Sequence, residues 1–423
     1  MLKEKAKTYV SHKPEWLVLS VAVATGLSIM GDSLMYAILP LEAKNLGISL
    51  SLVGLLLSAN RLIRLVSNTP VSLIFERLGP WRPFVGSTVL GFVTALLYGT
   101  GWGFVVFLLA RMGWGVAWSG LRQGGYEAIW SGSQHNKGRL MGLLWGVIRL
   151  GSAIGVVVGG YLRDEFGYQV SVAVIAGFTA LAIPIASFMR WPNPDSRKSE
   201  QATAPAKAPS QGTMLSLEGW RAAFRVPARR WLLIAGFIHA VLGAVVTATA
   251  SVFLAERLGA DNDLLLSTIG IGTLTGGLLA VRWTSNLLFG PFIGFISDRI
   301  GQTRIIILLA ILTLIGLIGA VRISGREGVL FLLPVFVAIS GLFVTLSASS
   351  SGLAVHARRP HLFVGTYATA TDAGSALGPL LAFNLGQIAG FGPLYLALSL
   401  LLLLSVLQYW RVVHCQTNSE MSF

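Results

Sequence analysis

Only one cysteine, Cys415, stands in the 423 residues of this chain. A lone thiol excludes a disulfide framework and any cysteine-held zinc or iron–sulfur centre. Charge is also scarce. Asp, Glu, Lys and Arg make up 12% of the chain, where a soluble globular domain carries about 25%. That is too little polar surface to keep a 45.1 kDa body in water. Acid is scarcer still: 18 Asp and Glu face 32 Lys and Arg, a formal net charge of +14. No glycine-rich phosphate loop ending in Lys is found, so a nucleotide-driven pump is not expected. No paired acids, His–metal cluster or nucleophile beside a base stands at catalytic spacing. The chain is therefore read as neither an enzyme nor a holder of metal or cofactor.

Apolar residues are what the chain has in abundance, at 54% with a mean hydropathy of +0.70. A helix needs about 20 of them to cross a bilayer. Twelve such stretches recur, at 16–40, 50–73, 83–101, 103–131, 138–162, 169–189, 229–256, 268–297, 303–323, 327–353, 362–389 and 392–411. The first is too long for a cleavable leader and lacks a small-residue cleavage site. Lys and Arg divide unevenly between the connections. Twenty-one fall on the side of the N-terminus, and five (Lys44, Arg163, Arg257, Arg322 and Arg326) fall on the other. Positive residues stay on the cytoplasmic side, so both termini are expected there. The same asymmetry accounts for the basic balance without nucleic acid as a partner.

The one long polar segment, 191–228, opens with PNPDSRKSEQATAPAKAPSQG, a flexible-linker composition. Its second part, MLSLEGWRAAFR, sets Leu215, Leu217, Trp220 and Phe224 on one side and reads as a short helix lying on the membrane surface. The expected organisation is a six-helix bundle over 1–190, a cytoplasmic linker over 191–228, and a second six-helix bundle with a short tail over 229–423.

The two halves repeat each other. SLIFERLG closes the second span at Ser72–Gly79, and GFISDRIG closes the eighth at Gly294–Gly301. Gly142, Gly151 and Gly155 of the fifth span return as Gly365, Gly374 and Gly378 of the eleventh. Two patterns at almost one offset imply duplicated bundles about an axis along the membrane normal.

With these features the chain resembles a twelve-helix transporter of the major facilitator superfamily, over everything but the linker and tails. That family carries G-x-L-A-D-R-x-G-R-K after its second helix. Gly294, Asp298, Arg299 and Gly301 match it in the second half, with Arg304 displaced. In the first half Glu76 replaces the Asp, while Arg77 and Gly79 remain. Arg111 and Gly115 match the R-x-x-x-G of the family's fourth helix. Gly142, Gly151, Gly155, Gly159 and Gly160 follow the fifth-helix spacing of its drug/proton antiporters, with Val156 where proline is usual; Pro379 follows Gly378 in the eleventh. The resemblance implies an all-α membrane protein of two pseudo-symmetric six-helix bundles, working by alternating access in a bacterial cytoplasmic (inner) membrane. It assigns the loop motifs to gating and leaves the glycines open between antiport and close helix packing alone.

Ionisable groups inside spans are costly and mark function or partnership. Asp32 and Arg111 both lie about 12 Å from the outer face at 1.5 Å per residue, and are read as a proton-coupling pair or a fixed ion pair. Arg64 and Asp372 lie about 14 Å from the inner face and are read as a cytoplasmic gate, with Arg61 one turn away. Substrate-binding candidates are Arg61, Arg64, Arg149, Arg282, Gln123, Tyr126, His239 and Asn286. Six Arg in spans oppose Asp32, Glu127 and Asp372, and such a cavity attracts an anion. The expected partners are the bilayer, a small-molecule substrate and protons, with the chain a monomer. The leading expectation is a proton-coupled exporter of a small anionic or amphipathic compound. The alternatives are a symporter importing an organic anion or other metabolite, and a non-transporting sensor or scaffold.

Overall fold

The structure is a computed structural model describing residues 14–130, 137–191, 217–258, 269–355 and 360–420. Among these every regular element is helical. The first half holds α1 (Pro14–Glu42), α2 (Leu50–Leu78), α3 (Trp81–Tyr98), α4 (Phe104–Trp130), α5 (Lys137–Phe166), α6 (Tyr168–Ala180) and α7 (Ala182–Ser187). A short helix, α8 (Leu217–Arg225), precedes the second half. That half holds α9 (Pro227–Leu258), α10 (Ile271–Leu288), α11 (Gly290–Ile300), α12 (Gln302–Arg322), α13 (Gly325–Leu330), α14 (Leu332–Val355), α15 (Pro360–Ala389) and α16 (Phe391–Glu420). Three spans are each built of two helices: α6 with α7, α10 with α11, and α13 with α14. The result is twelve spans in two six-helix bundles.

Among the described residues, nine helical stretches are long and apolar enough to cross a bilayer by themselves. The others fall short for local reasons. At 18 residues, α3 is at the lower limit of length, and it carries Arg82. The eighth span breaks at Phe289, ahead of Gly290 and Pro291. Polar residues run through α15, which also contains Pro379. Large apolar side chains such as Val105, Phe188, Ile315, Leu401 and Leu404 are exposed on the outside of the bundle, where lipid is the solvent.

The repeat is written in the backbone as well as in the sequence. Gly79 and Gly301, Gly103 and Gly325, and Gly167 and Gly390 all have positive φ, from 70° to 104°. Each pair stands at the same turn of its half, 222 or 223 residues apart. Such turns suit glycine because a Cβ is strained there.

Glycine also sets how closely α1 and α5 pack. A Cβ on Gly155 would stand 2.8 Å from Met30 Cα, and one on Gly151 would strike the Gly26 backbone. In the second half Gly374 and Gly378 lie against α9 at Phe237 and Val241 in the same way, and Gly159 lies against Leu34. Gly142 and Gly365 require a correction. They sit at equivalent places near the start of α5 and α15, and nothing lies within 4 Å of where their Cβ would be. They extend the sequence pattern, but no close helix approach depends on their lacking a side chain.

The buried side chains divide unequally. One core holds Leu34, Met35 and Leu39 of α1 and Leu56 of α2, and continues into the second half through Leu242, Phe336 and Phe383. The other holds Val18, Val21, Phe84, Ala128, Leu140 and Ala186, all of the first half and all near the face where α1 begins. The two bundles therefore share a core towards the face where α1 ends, and the first half keeps its own core towards the face where α1 begins.

Candidate functional site

Towards the face where α1 ends the two halves meet in a close seam, and lower down Leu287 of α10 lies against Gly146 of α5. Gly54 of α2 meets the Pro379 carbonyl of α15 and, next to it, Phe383. Gly160 of α5 meets the backbone of Gly272 in α10, and Gly276 meets Val156. Side chains clasp this seam at its end. Arg163 donates to Glu42 Oε1 through Nε (2.8 Å) and Nη2 (2.6 Å), and to Asp164 Oδ1 through Nη1 (2.9 Å). Asp164 crosses to the second half. It accepts from the backbone N–H of Gly272 (3.2 Å) and Thr273 (2.7 Å), and from the Thr273 hydroxyl (2.8 Å). A carboxylate at the start of α10 satisfies donors that a helix leaves open there and meets the positive end of its dipole. The sequence reading missed this clasp. Its only local signal is Arg163-Asp164-Glu165 at the end of the fifth span; the capping partner lies 109 residues away.

Below the seam lies a cavity of about 290 Å³, lined from both halves. Asp32 stands at its upper edge, and its Oδ1 accepts from Arg111 Nη1 (2.5 Å) and Asn60 Nδ2 (2.9 Å). Arg111 is fully buried, donates through Nε to the Leu56 carbonyl (3.0 Å), and lies beside the rings of Tyr36 and Tyr98. Hydrogen bonds beyond the ion pair are what make such burial tolerable. The matching depths expected from sequence do bring these two residues together.

Five further arginines line the cavity: Arg61, Arg64, Arg122, Arg149 and Arg282. Arg61 Nη1 reaches across the halves to the Ser375 carbonyl of α15. Arg64 Nε donates to the Asn60 carbonyl in its own helix (3.1 Å). Arg149 lies over the ring of Trp145 at 6.0 Å, and Arg282 Nε donates to Thr247 Oγ1 (2.6 Å). Asp372 lines the same cavity. Among the described residues no ion pair joins it to Arg64, and at this level Arg61 crosses from α2 to the Ser375 carbonyl of α15. His239 also lines the cavity, with Nε2 bonded to the Ile339 carbonyl (2.8 Å). Trp114, Trp118 and Trp145 form one wall, their centroids 6.1 and 6.3 Å apart in turn.

The remaining expected site residues lie elsewhere. Gln123 and Tyr126 lie on α4 outside the cavity lining, where Gln123 turns along the helix to Glu127 (3.3 Å). The side chains of Asn286 and Asp298, and Gly294, fall outside what the structure describes. Glu76 and Arg77 are exposed at the end of α2, and Arg299 lies 4.3 Å over the ring of Phe295. They are remote from the cavity.

The profile described as Major Facilitator Superfamily matches residues 21–287, well over half the chain. The chain belongs to the Major Facilitator Superfamily. It is thus a multi-pass integral membrane protein. A relative in that superfamily is the "Multidrug resistance protein MdtG" of Dickeya zeae (strain Ech586). It is 22% identical over 275 residues, which are 64% of this chain and 62% of that protein. Among solved structures, the nucleoside transporter NupG superposes with a TM-score of 0.74 at 13% identity, covering 94% of this chain and 99% of that one. A point variant of NupG gives 0.72 at 12% identity with the same coverage. At such identities these likenesses establish the superfamily fold alone.

Proposed function

We propose that this superfamily member is a proton-coupled secondary transporter of a small organic anion, working by alternating access as a monomer in a bacterial cytoplasmic membrane, with both termini in the cytoplasm. The observation that carries the reading is the charge of the cavity. Five guanidinium groups line it, against Asp372 and an Asp32 already matched by Arg111. A low-dielectric cavity of this sign concentrates anions and rejects cations, and arginine is the side chain suited to carboxylate and phosphate. With the termini inside, the clasped face is the outer one and the cavity faces the cytoplasm.

Asp32 is the proposed proton carrier. It borders the cavity, and its charge is held by one Arg and one Asn. Protonating it frees the positive charge of Arg111, and a flip of the Asn60 amide turns Oδ1, which has no donor in this state, towards the new O–H. The added positive charge strengthens the hold on an anion. Proton and anion binding therefore favour each other, and by linkage they travel together. This electrostatic sense favours symport. The name of the MdtG relative and the fifth-helix glycine spacing favour the second reading, export by antiport.

Proteoliposome flux under an imposed pH gradient separates the two. Anion uptake accelerated by inward proton flow supports symport, and anion movement against the proton flow supports antiport. Flux of organic cations alone would overturn the anion reading under either coupling.

A further inference from the structure

The cavity arginines are not equivalent. Arg61 and Arg149 come from the first half and Arg282 from the second. The three lie within electrostatic reach of one another, and among the described residues none of them forms an ion pair with a carboxylate. Each is held by a neutral anchor: the Ser375 carbonyl, the Trp145 ring and the Thr247 hydroxyl respectively. A guanidinium carries five N–H donors. One anchoring bond each on Arg61 and Arg282 leaves most of these donors for a ligand. Three like charges held close in a buried site repel each other until an anion sits among them. The wall beside Arg149 is the indole series Trp114–Trp118–Trp145, which offers flat apolar faces to a ring.

We infer that Arg61, Arg149 and Arg282 form one clamp, assembled from both halves, for the doubly charged head group of a phosphate monoester whose flat ring lies along Trp118 and Trp145. The inference rests on the organic-anion reading above and narrows it. A doubly charged head neutralises two of the three guanidinium groups, where a single carboxylate neutralises one. Phosphate also presents several oxygens at the spacing of the arginine fork. Because the clamp draws on both halves, the bound head group also ties α10 to α2 and α5 while the substrate crosses.

The test uses the purified full-length protein and three probes with one ring in common: phenyl phosphate, benzoate and benzylamine. Binding is read by calorimetry and by quenching of tryptophan fluorescence, at a pH above 7 where the phosphate is mostly doubly charged. Phenyl phosphate is expected to bind at least tenfold more tightly than benzoate, and benzylamine not to bind. Arg282→Gln and Arg149→Gln each weaken phenyl phosphate at least tenfold, the loss of one charge-assisted contact, and bring it near benzoate. Arg139→Gln, an exposed control, leaves it unchanged. Arg282→Lys keeps the charge without the fork and replaces the Gln variant if that does not purify; it too weakens phenyl phosphate.

Equal affinity for phenyl phosphate and benzoate, with both weakened alike by Arg282→Gln, overturns the clamp while the organic-anion reading stands. Binding of phenyl phosphate unaffected by the Arg149 and Arg282 variants also overturns the clamp. So does the absence of phenyl phosphate binding at millimolar concentration. Binding of benzylamine alone overturns both proposals.

Discussion

Removing the carboxylate of Asp164 tests whether the clasp holds the outer face shut. Three of its bonds exist only while α5 and α10 meet: those to Gly272 N–H, Thr273 N–H and Thr273 O–H. Its side chain is 8% exposed, so water replaces those bonds only after the halves part. An N-capping Asp contributes about 0.5–2 kcal/mol, and a charge at a partly buried helix terminus contributes up to about 2 kcal/mol. These estimates overlap, so the net loss on Asp164→Ala is taken as about 2 kcal/mol, which changes the ratio of closed to open forms roughly thirtyfold. The population itself is hard to see if the wild type is almost wholly closed, but a rate proportional to it is not. A cysteine placed at Thr371, on the cavity wall, with Cys415 replaced by serine, is labelled from the outer face only while that face is open. A maleimide that cannot cross the membrane should label the Asp164→Ala background about thirty times faster than wild type. Asp164→Asn keeps an acceptor oxygen and should fall between the two. A rate within twofold of wild type in both variants, with the protein intact by chromatography, would refute the clasp.

Three further outcomes follow from the geometry. Asp32→Asn leaves Arg111 buried without its carboxylate and should cost about 3–5 kcal/mol, whereas Asp32→Asn with Arg111→Met should recover most of it; thermal unfolding in detergent reads both, and equal stability of the two variants would count against a tightly coupled pair. In flux assays Asp32→Asn should also lose its dependence on external pH, and an unchanged pH profile would remove Asp32 as the proton carrier. Gly155→Ala forces a Cβ towards Met30 Cα and should cost about 1–3 kcal/mol by overpacking, while Gly142→Ala, with open space around it, should gain up to about 1 kcal/mol from helix propensity; equal effects at the two sites would mean that the α1–α5 approach is not set by glycine.

Much of the frame is legible in the sequence because it depends on local quantities. Span count needs only runs of apolar residues, and the span limits from sequence differ from the helices by a few residues in most cases. The larger differences occur where charge does not stop a helix. The second span runs on to Leu78 through Glu76 and Arg77, and the last runs on to Glu420 beyond Arg411. A helix leaving the bilayer keeps its hydrogen bonds in water, so hydropathy marks the membrane edge and not the helix end. Breaks at Leu181, Phe289 and Phe331 were not expected either. Depth pairs Asp32 with Arg111 because Asp32 is the one charged group of the first span and Arg111 stands three turns from Arg122, the next charge in the fourth. It gave less for Arg64 and Asp372, because rotation about the helix axis decides which of Arg61 and Arg64 crosses to α15, and depth carries no rotation.

Duplication explains which features repeat and which do not. The left-handed glycine turns occur in both halves at offsets of 222 or 223 residues, since either bundle needs the same tight connections to fold. The charges break the symmetry. Arg149 stands where the other half has Asp372, and Asn60 stands where the other half has Arg282. A strictly symmetric cavity would place two copies of every charge about the axis and repel itself. The substitutions instead put Arg282 across from Arg61 and Arg149, while Asn60 turns to Asp32. Two bundles of like shape and unlike charge can rock on a common seam while a ligand held by both reports which way they have moved. On this argument exchanging the charges, Arg149→Asp with Asp372→Arg, keeps the count of charges but takes one guanidinium from the cluster. It should preserve folding and abolish anion binding; retained binding would show that net charge alone, and not its placement, selects the cargo.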